Sequence, residues 1–329
     1  MNCELRIANC ELRITDLCSI MAFEVSLSTM WAIGRFQSLA DFFTAAKTLG
    51  FARFELNHAV NSSLLDGLNL NGQRITSVHE PCPADVSTTT LKARDWLVSS
   101  LDEECRRQGA RAVRRSIDLA QEIGAGAVVV HAGKVNADPQ LEQQLRALIG
   151  AGQAHAPTYR EMKERLVAAR AAQVEAHLDA VRRSLVELAA YAGRAGVRLG
   201  LENRFYYLDI PLLGEMGALL DLVDDGRVGF WYDVGHTQSL ERLGFDSHEE
   251  WLRRYAPRMI GAHLHDIRGL RDHYAAGLGE TDWDMVAAYL PAGIIRTCEF
   301  RDDSTPEQVA AGLQFLADKG CIQGSGVRG

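Results

Sequence analysis

The chain has 329 residues, 47% hydrophobic and 24% charged, with a formal net charge of −8. Those proportions describe a soluble globular protein with an ample core, and no stretch approaches the roughly 18 apolar residues of a membrane span. An acidic balance does nothing to attract a polyanion, so it disfavours nucleic acid and leaves small molecules as the expected partners.

The first twenty residues look foreign to the rest of the chain. Asn2-Cys3-Glu4-Leu5-Arg6-Ile7 recurs as Asn9-Cys10-Glu11-Leu12-Arg13-Ile14, and Glu, Arg and Asp interrupt every candidate signal-peptide core. Met21 stands just before the first strand-like run, so residues 1–20 are expected to be a non-native or disordered extension. The seven cysteines show no CxxC and no paired short spacing. Their odd number argues against a disulfide framework and fits a reducing cytoplasm.

From Met21 onward, eight strand candidates alternate with helix candidates. Phe23–Ser28 and Phe51–Asn57 flank an amphipathic helix around Leu39–Leu49, which Gly50 stops. Ile75–Glu80 is halted by Pro81 and Pro83. A charged helix from about Asp102 to Ile123 then leads to Ala127–His131. One long helical stretch, Thr158 to Arg194, is expected next, before strands at Val197–Glu202, Val228–Asp233, Met259–Asp266 and Ile294–Phe300. Further helices fall near Leu212–Val223, Ser247–Tyr255, Trp283–Leu290 and Pro306–Lys319. Strands separated by helices of this length make parallel βαβ units. Eight units predict an α/β fold, a single (β/α)8 TIM barrel over residues 21–320 with its active site at the C-terminal ends of the strands. Residues 321–329 are Gly-rich and expected to fray. Two long connections, Pro81–Leu101 and Gly133–Pro157, would wall the C-terminal face.

The chemistry-bearing residues close the strands. Glu202, Asp233, one of His263 and His265, and Glu299 end strands five to eight, and a barrel brings such ends together. Three carboxylates and an imidazole suit a divalent Mn, Mg, Co or Zn ion. Without a metal, clustered carboxylates would repel one another. His263 and His265 are two apart on a strand and point the same way, so either can be the ligand. His236, three residues beyond Asp233, is a second-metal or substrate partner. His79, His131, His273 and Glu55 sit at other strand ends or nearby. His58, His155, His177 and His248 read as surface residues.

The words Leu201-Glu202-Asn203-Arg204-Phe205, Trp231-Tyr232-Asp233-Val234-Gly235-His236, His263-Leu264-His265-Asp266 and Gly277-Leu278-Gly279-Glu280-Thr281-Asp282-Trp283 come in a telling order and spacing. From Met21 to about Leu316 the chain resembles the sugar phosphate isomerase/epimerase group of xylose isomerase-like TIM barrels, within the AP endonuclease family 2 superfamily. The resemblance implies a divalent-metal-dependent sugar or sugar phosphate isomerase/epimerase. Glu202, Asp233, His263 or His265, and Glu299 would hold the metal. Glu202 and Glu299 would be the acid/base pair working through a metal-stabilised enediolate, with His236 assisting. His236 and an arginine (Arg204, Arg268 or Arg271) would hold substrate hydroxyls.

Related endonuclease-IV-type AP endonucleases carry a three-metal cluster. His79, His131, Glu202, Asp233, His236, His263, His273 and Glu299 match its ligand positions, but Arg271 stands where an aspartate would be. That multi-zinc endonuclease and a non-catalytic polyol-binding barrel are the alternative readings. A homo-oligomer is compatible with either.

Overall fold

The computed structural model describes residues 23–70 and 72–324, so the expectation about residues 1–20 lies outside it. Eight parallel strands close into one barrel: β1 (Phe23–Ser28), β2 (Phe51–Leu56), β3 (Arg74–His79), β4 (Ala127–Val130), β5 (Arg198–Glu202), β6 (Val228–Asp233) and β7 (Met259–Leu264), completed by β10 (Ile295–Cys298). Between β7 and β10, β8 (Asp266–Arg268) and β9 (Arg271–Tyr274) form a two-stranded antiparallel ribbon outside the ring. The closing pair is β10 with β1, in register at Ser26 with Thr297 and Leu27 with Cys298. Among the described residues, no helix is long and apolar enough to cross a membrane.

The strands are Val-, Leu- and Phe-rich because helices cover them on the outside, so both faces are buried. The centre of the barrel is filled by Trp231 on β6, which is fully buried. Its ring lies where Gly200 on β5 and Gly261 on β7 carry no side chain. A Cβ at those positions would stand 2.5 and 2.2 Å from the indole, so only glycine fits on either side of it. The helix Val234–Arg242 begins on the last residue of β6. Asp233 is its N-cap and accepts a bond from the His236 amide at 2.8 Å.

Several sequence expectations need correction. The helical stretch at 158–194 is two helices, Pro157–Ala171 and Val174–Ala195. The break holds Arg170 in an ion pair with Glu215, a contact that helix propensity cannot foresee. The two long connections contain the helices Thr88–Ala93 and Pro139–Gly150. The residues just after 320 are packed, with Cys321 and Ile322 buried and the Glu24 amide donating to the Gln323 carbonyl at 2.9 Å. Residues 325–329 lie outside the described residues.

His177 and His248 are buried, while His155 is exposed and His58 half-buried. The Asn136 amide donates to Nε2 of His177, so its Nδ1–H donates to the Ser99 carbonyl, and the ring ties two loops together. His248 sits against the Tyr232 hydroxyl, and burial pushes its pKa from 6.5 down to about 4. Between those values the unfolded chain binds a proton that the fold refuses, so stability falls as pH drops through that window. His248→Gln has no such proton. Wild type should therefore lose about 1–3 kcal/mol relative to His248→Gln between pH 8 and pH 4.5, read from urea unfolding. A pH-independent difference would contradict this burial effect.

Candidate active site and metal centre

β5, β6, β7 and β10 deliver residues at or within one position of their C-terminal ends to one point in the mouth. Glu202, Asp233, His263 and Glu299 each place one oxygen or nitrogen within 4.8 Å of the others, and all four are buried. His263 is the hub. Its Nδ1 lies 2.8 Å from Glu202 Oε1, 3.2 Å from Glu299 Oε2 and 3.6 Å from Asp233 Oδ2. Its Nε2 faces Glu55 at 3.2 Å, and Ser77 Oγ donates to the same carboxylate. A carboxylate behind the ring is the usual way a ligating histidine is oriented. Glu55 therefore supports His263 from its Nε2 side. Burial opposes a charge on His263, yet the carboxylates of Glu299 and Glu55 overcome it and hold its pKa well above the ordinary value.

His265 belongs, with Asp233, His273 and Glu299, to a second group of metal-type donors. The His273 amide donates to its Nδ1, so its Nε2–H points to Asp233 at 3.0 Å. It orients a carboxylate that His263 faces directly. Asn203 completes the support of Asp233. Its side chain takes the Asp233 amide at 2.8 Å and donates to the Asp233 carbonyl at 2.9 Å, while its own carbonyl accepts from His236 Nδ1–H. That leaves His236 Nε2 turned to Asp272, 3.8 Å away.

Four further groups of metal-type donors overlap or flank the centre: Glu55, His79, His263 and Glu299; Asp233, His265, His273 and Glu299; His79, His131 and Glu202; and His236, Asp272 and His273. His79 and His131 meet Nε2 to Nε2 at 2.7 Å, with His131 3.2 Å from Glu202 Oε2 and His79 Nδ1 3.4 Å from Glu299 Oε1. The sequence does not single out Asp272, because its word places Arg271 at the expected aspartate position. The ribbon turns at Gly269 and His273, both at positive φ, and brings in the neighbouring Asp272 instead. Arg271 is exposed and pairs with Asp303, and exposed Arg268 donates to the Leu278 carbonyl. Neither arginine reaches the cluster.

Arg204 does. Its guanidinium bonds Glu202 and lies 3.8 Å from Asp209. Burial would raise the Glu202 pKa, but Arg204, His131 and His263 pull it well below the carboxylate range. For Glu299, burial is likewise overcome by His263, His273 and His79. Glu299 Oε1 and His79 Nδ1 face each other at 3.4 Å and make no other hydrogen bond. His58 packs on His79 and is pushed by burial to about 4. Phe205 and half-exposed Tyr206 form an aromatic wall beside His236, braced by Arg146.

Residues 43–319 match the family model of the xylose isomerase-like TIM barrels. The chain belongs to that family. Solved structures with the same architecture include an L-ribulose 3-epimerase (15% identity, TM-score 0.62), covering 91% of this chain and 95% of that one. The E. coli 3-keto-D-glucoside 4-epimerase YcjR is 17% identical with a TM-score of 0.62, over 90% of this chain and 99% of that one. The IolI protein with a bound zinc atom is 12% identical with a TM-score of 0.60, over 90% and 97%. At these identities the likeness establishes the fold alone. No curated protein matches the sequence.

Asn203 is the residue on which the mouth's backbone geometry most depends. Asn203→Ala leaves the buried Asp233 amide without its partner, while the Asp233 carbonyl keeps the Thr237 hydroxyl, and should cost about 1–3 kcal/mol in urea unfolding. A loss below about 0.5 kcal/mol would show that the staple is dispensable.

Proposed function

We propose that the protein is a divalent-metal-dependent isomerase or epimerase acting on a sugar or sugar derivative. The observation that carries this reading is the buried donor set of Glu202, Asp233, His263 and Glu299. Three carboxylates this close need positive charge among them, which a protonated His263 supplies and which a metal ion would supply with His263 neutral. Three hard oxygens and one imidazole suit Mn, Mg, Co or Zn. A bound ion would polarise a chelated carbonyl and acidify the adjacent C–H.

The chain's own groups would do the rest. Glu202 and Glu299 reach the centre from non-adjacent strands and so can address two sides of one substrate carbon or two neighbouring carbons. One removes the proton and the other returns it. Each has its own histidine behind it, His131 for Glu202 and His79 for Glu299. His265 and Asn203 hold Asp233, and Glu55 holds His263. Arg204 and His236 are placed to bind hydroxyl oxygens, and Phe205 with Tyr206 can cover a sugar's apolar face.

A second reading, a multi-metal phosphodiesterase of the AP-endonuclease kind, draws on the His79–His131–Glu202 and His236–Asp272–His273 groups. Against it, the Arg204 cation already sits on Glu202 within the first group, and the chain's net charge of −8 disfavours DNA.

The test is proton exchange. Mn- or Co-loaded protein incubated with a ketose panel in D2O should incorporate deuterium at the carbon that changes configuration or oxidation state. Glu299→Gln should lower that rate by about 10²–10⁴-fold. Near-normal exchange in Glu299→Gln would refute the assignment. Cleavage of abasic-site DNA without ketose exchange would favour the second reading.

A further inference from the structure

At the end of the barrel opposite the metal-type ligands, the strand N-termini surround a cavity of about 350 Å³. That volume is in the range of ligand pockets, about 300–1,000 Å³. Its charged lining comes from five strands: Glu24 on β1, Arg53 on β2, Arg74 on β3, Arg198 on β5 and Arg296 on β10. Four cations face one anion, and that anion is already engaged, since Glu24 Oε1 lies 2.7 Å from Arg53. Among the described residues, no carboxylate lies within ion-pair distance of Arg74, Arg198 or Arg296.

The fold forces these charges together. Arg53 and Arg74 are register partners on adjacent strands, about 4.8 Å apart at the backbone. Arg296 is half-buried. It donates to the Pro291 carbonyl at 2.7 Å, and its Nε is buried with no partner. Burial pulls its guanidinium below the ordinary value, although the Glu24 carboxylate opposes the shift. The Ser26 and Thr76 hydroxyls, bonded to each other at 2.7 Å, form part of the lining. The N-terminal face of such barrels ordinarily serves stability. Uncompensated like charges do the opposite, unless something neutralises them.

We propose that this arginine-lined mouth is a binding site for a multiply charged phosphate-type oxyanion, separate from the metal centre. The guanidinium fork matches phosphate oxygens two at a time, and Arg74 and Arg198, with Arg53 and Arg296 beside them, suit a diphosphate or phosphate ester better than a single carboxylate. The buried centre of the barrel, with Trp231 across it, lies between this mouth and the cluster. The site therefore does not depend on the proposed reaction.

Calorimetric titration of pyrophosphate into the full-length protein, stripped of metal and at low ionic strength, tests this. Wild type should bind one equivalent with a submillimolar Kd that weakens as salt is raised. The double variant Arg74→Glu/Arg198→Glu alters two exposed side chains and should bind at least tenfold more weakly. Arg204→Ala, in the opposite mouth, should bind as wild type does. Should the double variant fail to fold, Arg198→Ala alone should still weaken binding by about threefold or more. No saturable binding in wild type, or undiminished binding in the bottom-face variants, would overturn the proposal. So would loss of binding in Arg204→Ala alone, which would assign the anion to the catalytic mouth.

Discussion

Four carboxylates with almost no solvent contact, Glu55, Glu202, Asp233 and Glu299, are packed around a single imidazole. Taking one such charge out of water costs several kcal/mol unless it is matched. Everything else in the mouth can be understood as a response to that constraint. Arg204 leans on Glu202, His273 and His79 lean on Glu299, and His265 and His236 lean on Asp233. In the absence of an ion, protons on His263 and His273 balance the excess negative charge, which is why both are held well above the ordinary imidazole value. A dication at the centre would do the same job with fewer protons, because metal ligands must be deprotonated.

The barrel makes this concentration of charge possible. Each of these side chains sits at or beside the end of a strand whose neighbours are fixed by register, such as Asp233 opposite His263 and Glu202 opposite Trp231. The floor beneath is rigid because Trp231 fits between two glycines. Behind the donors stands a shell of polar groups, Ser77 to Glu55 to His263 on one side and Asn203 to Asp233 on the other. A site held to sub-ångström tolerance needs such support. In this chain the support comes from strand ends and from Asp233 acting as a helix cap, more than from loops.

The barrel and the convergence of the strand-end carboxylates and histidines are legible in the sequence because both follow from local pattern. Apolar runs alternate with helical segments, and each run ends in a residue that has no reason to be there in a simple core. His177 and His248 read as surface residues although a signal for burial existed. His177 shares a helical stripe with Val181, Ser184, Leu185 and Leu188, and His248 shares one with Trp251, Leu252 and Tyr255. The roles of Asp272, Arg268 and Arg271 are not legible, because which of them turns inward depends on the ribbon's twist and its positive-φ residues. Asn203 is visible only as part of a sequence word, since its double bond to Asp233 requires β5 and β6 to be adjacent. The arginines of the opposite mouth, scattered over more than 240 positions from Arg53 to Arg296, meet only when the ring closes.

A metal centre built on Glu202, Asp233, His263 and Glu299 is tested most directly by elemental mass spectrometry. The protein is purified without chelators and then reconstituted with Mn, Co or Zn. About one tightly held divalent ion per chain in wild type, lost in Glu299→Ala, is the predicted result. No retained metal, or equal retention in Glu299→Ala, would contradict a metal centre at these residues.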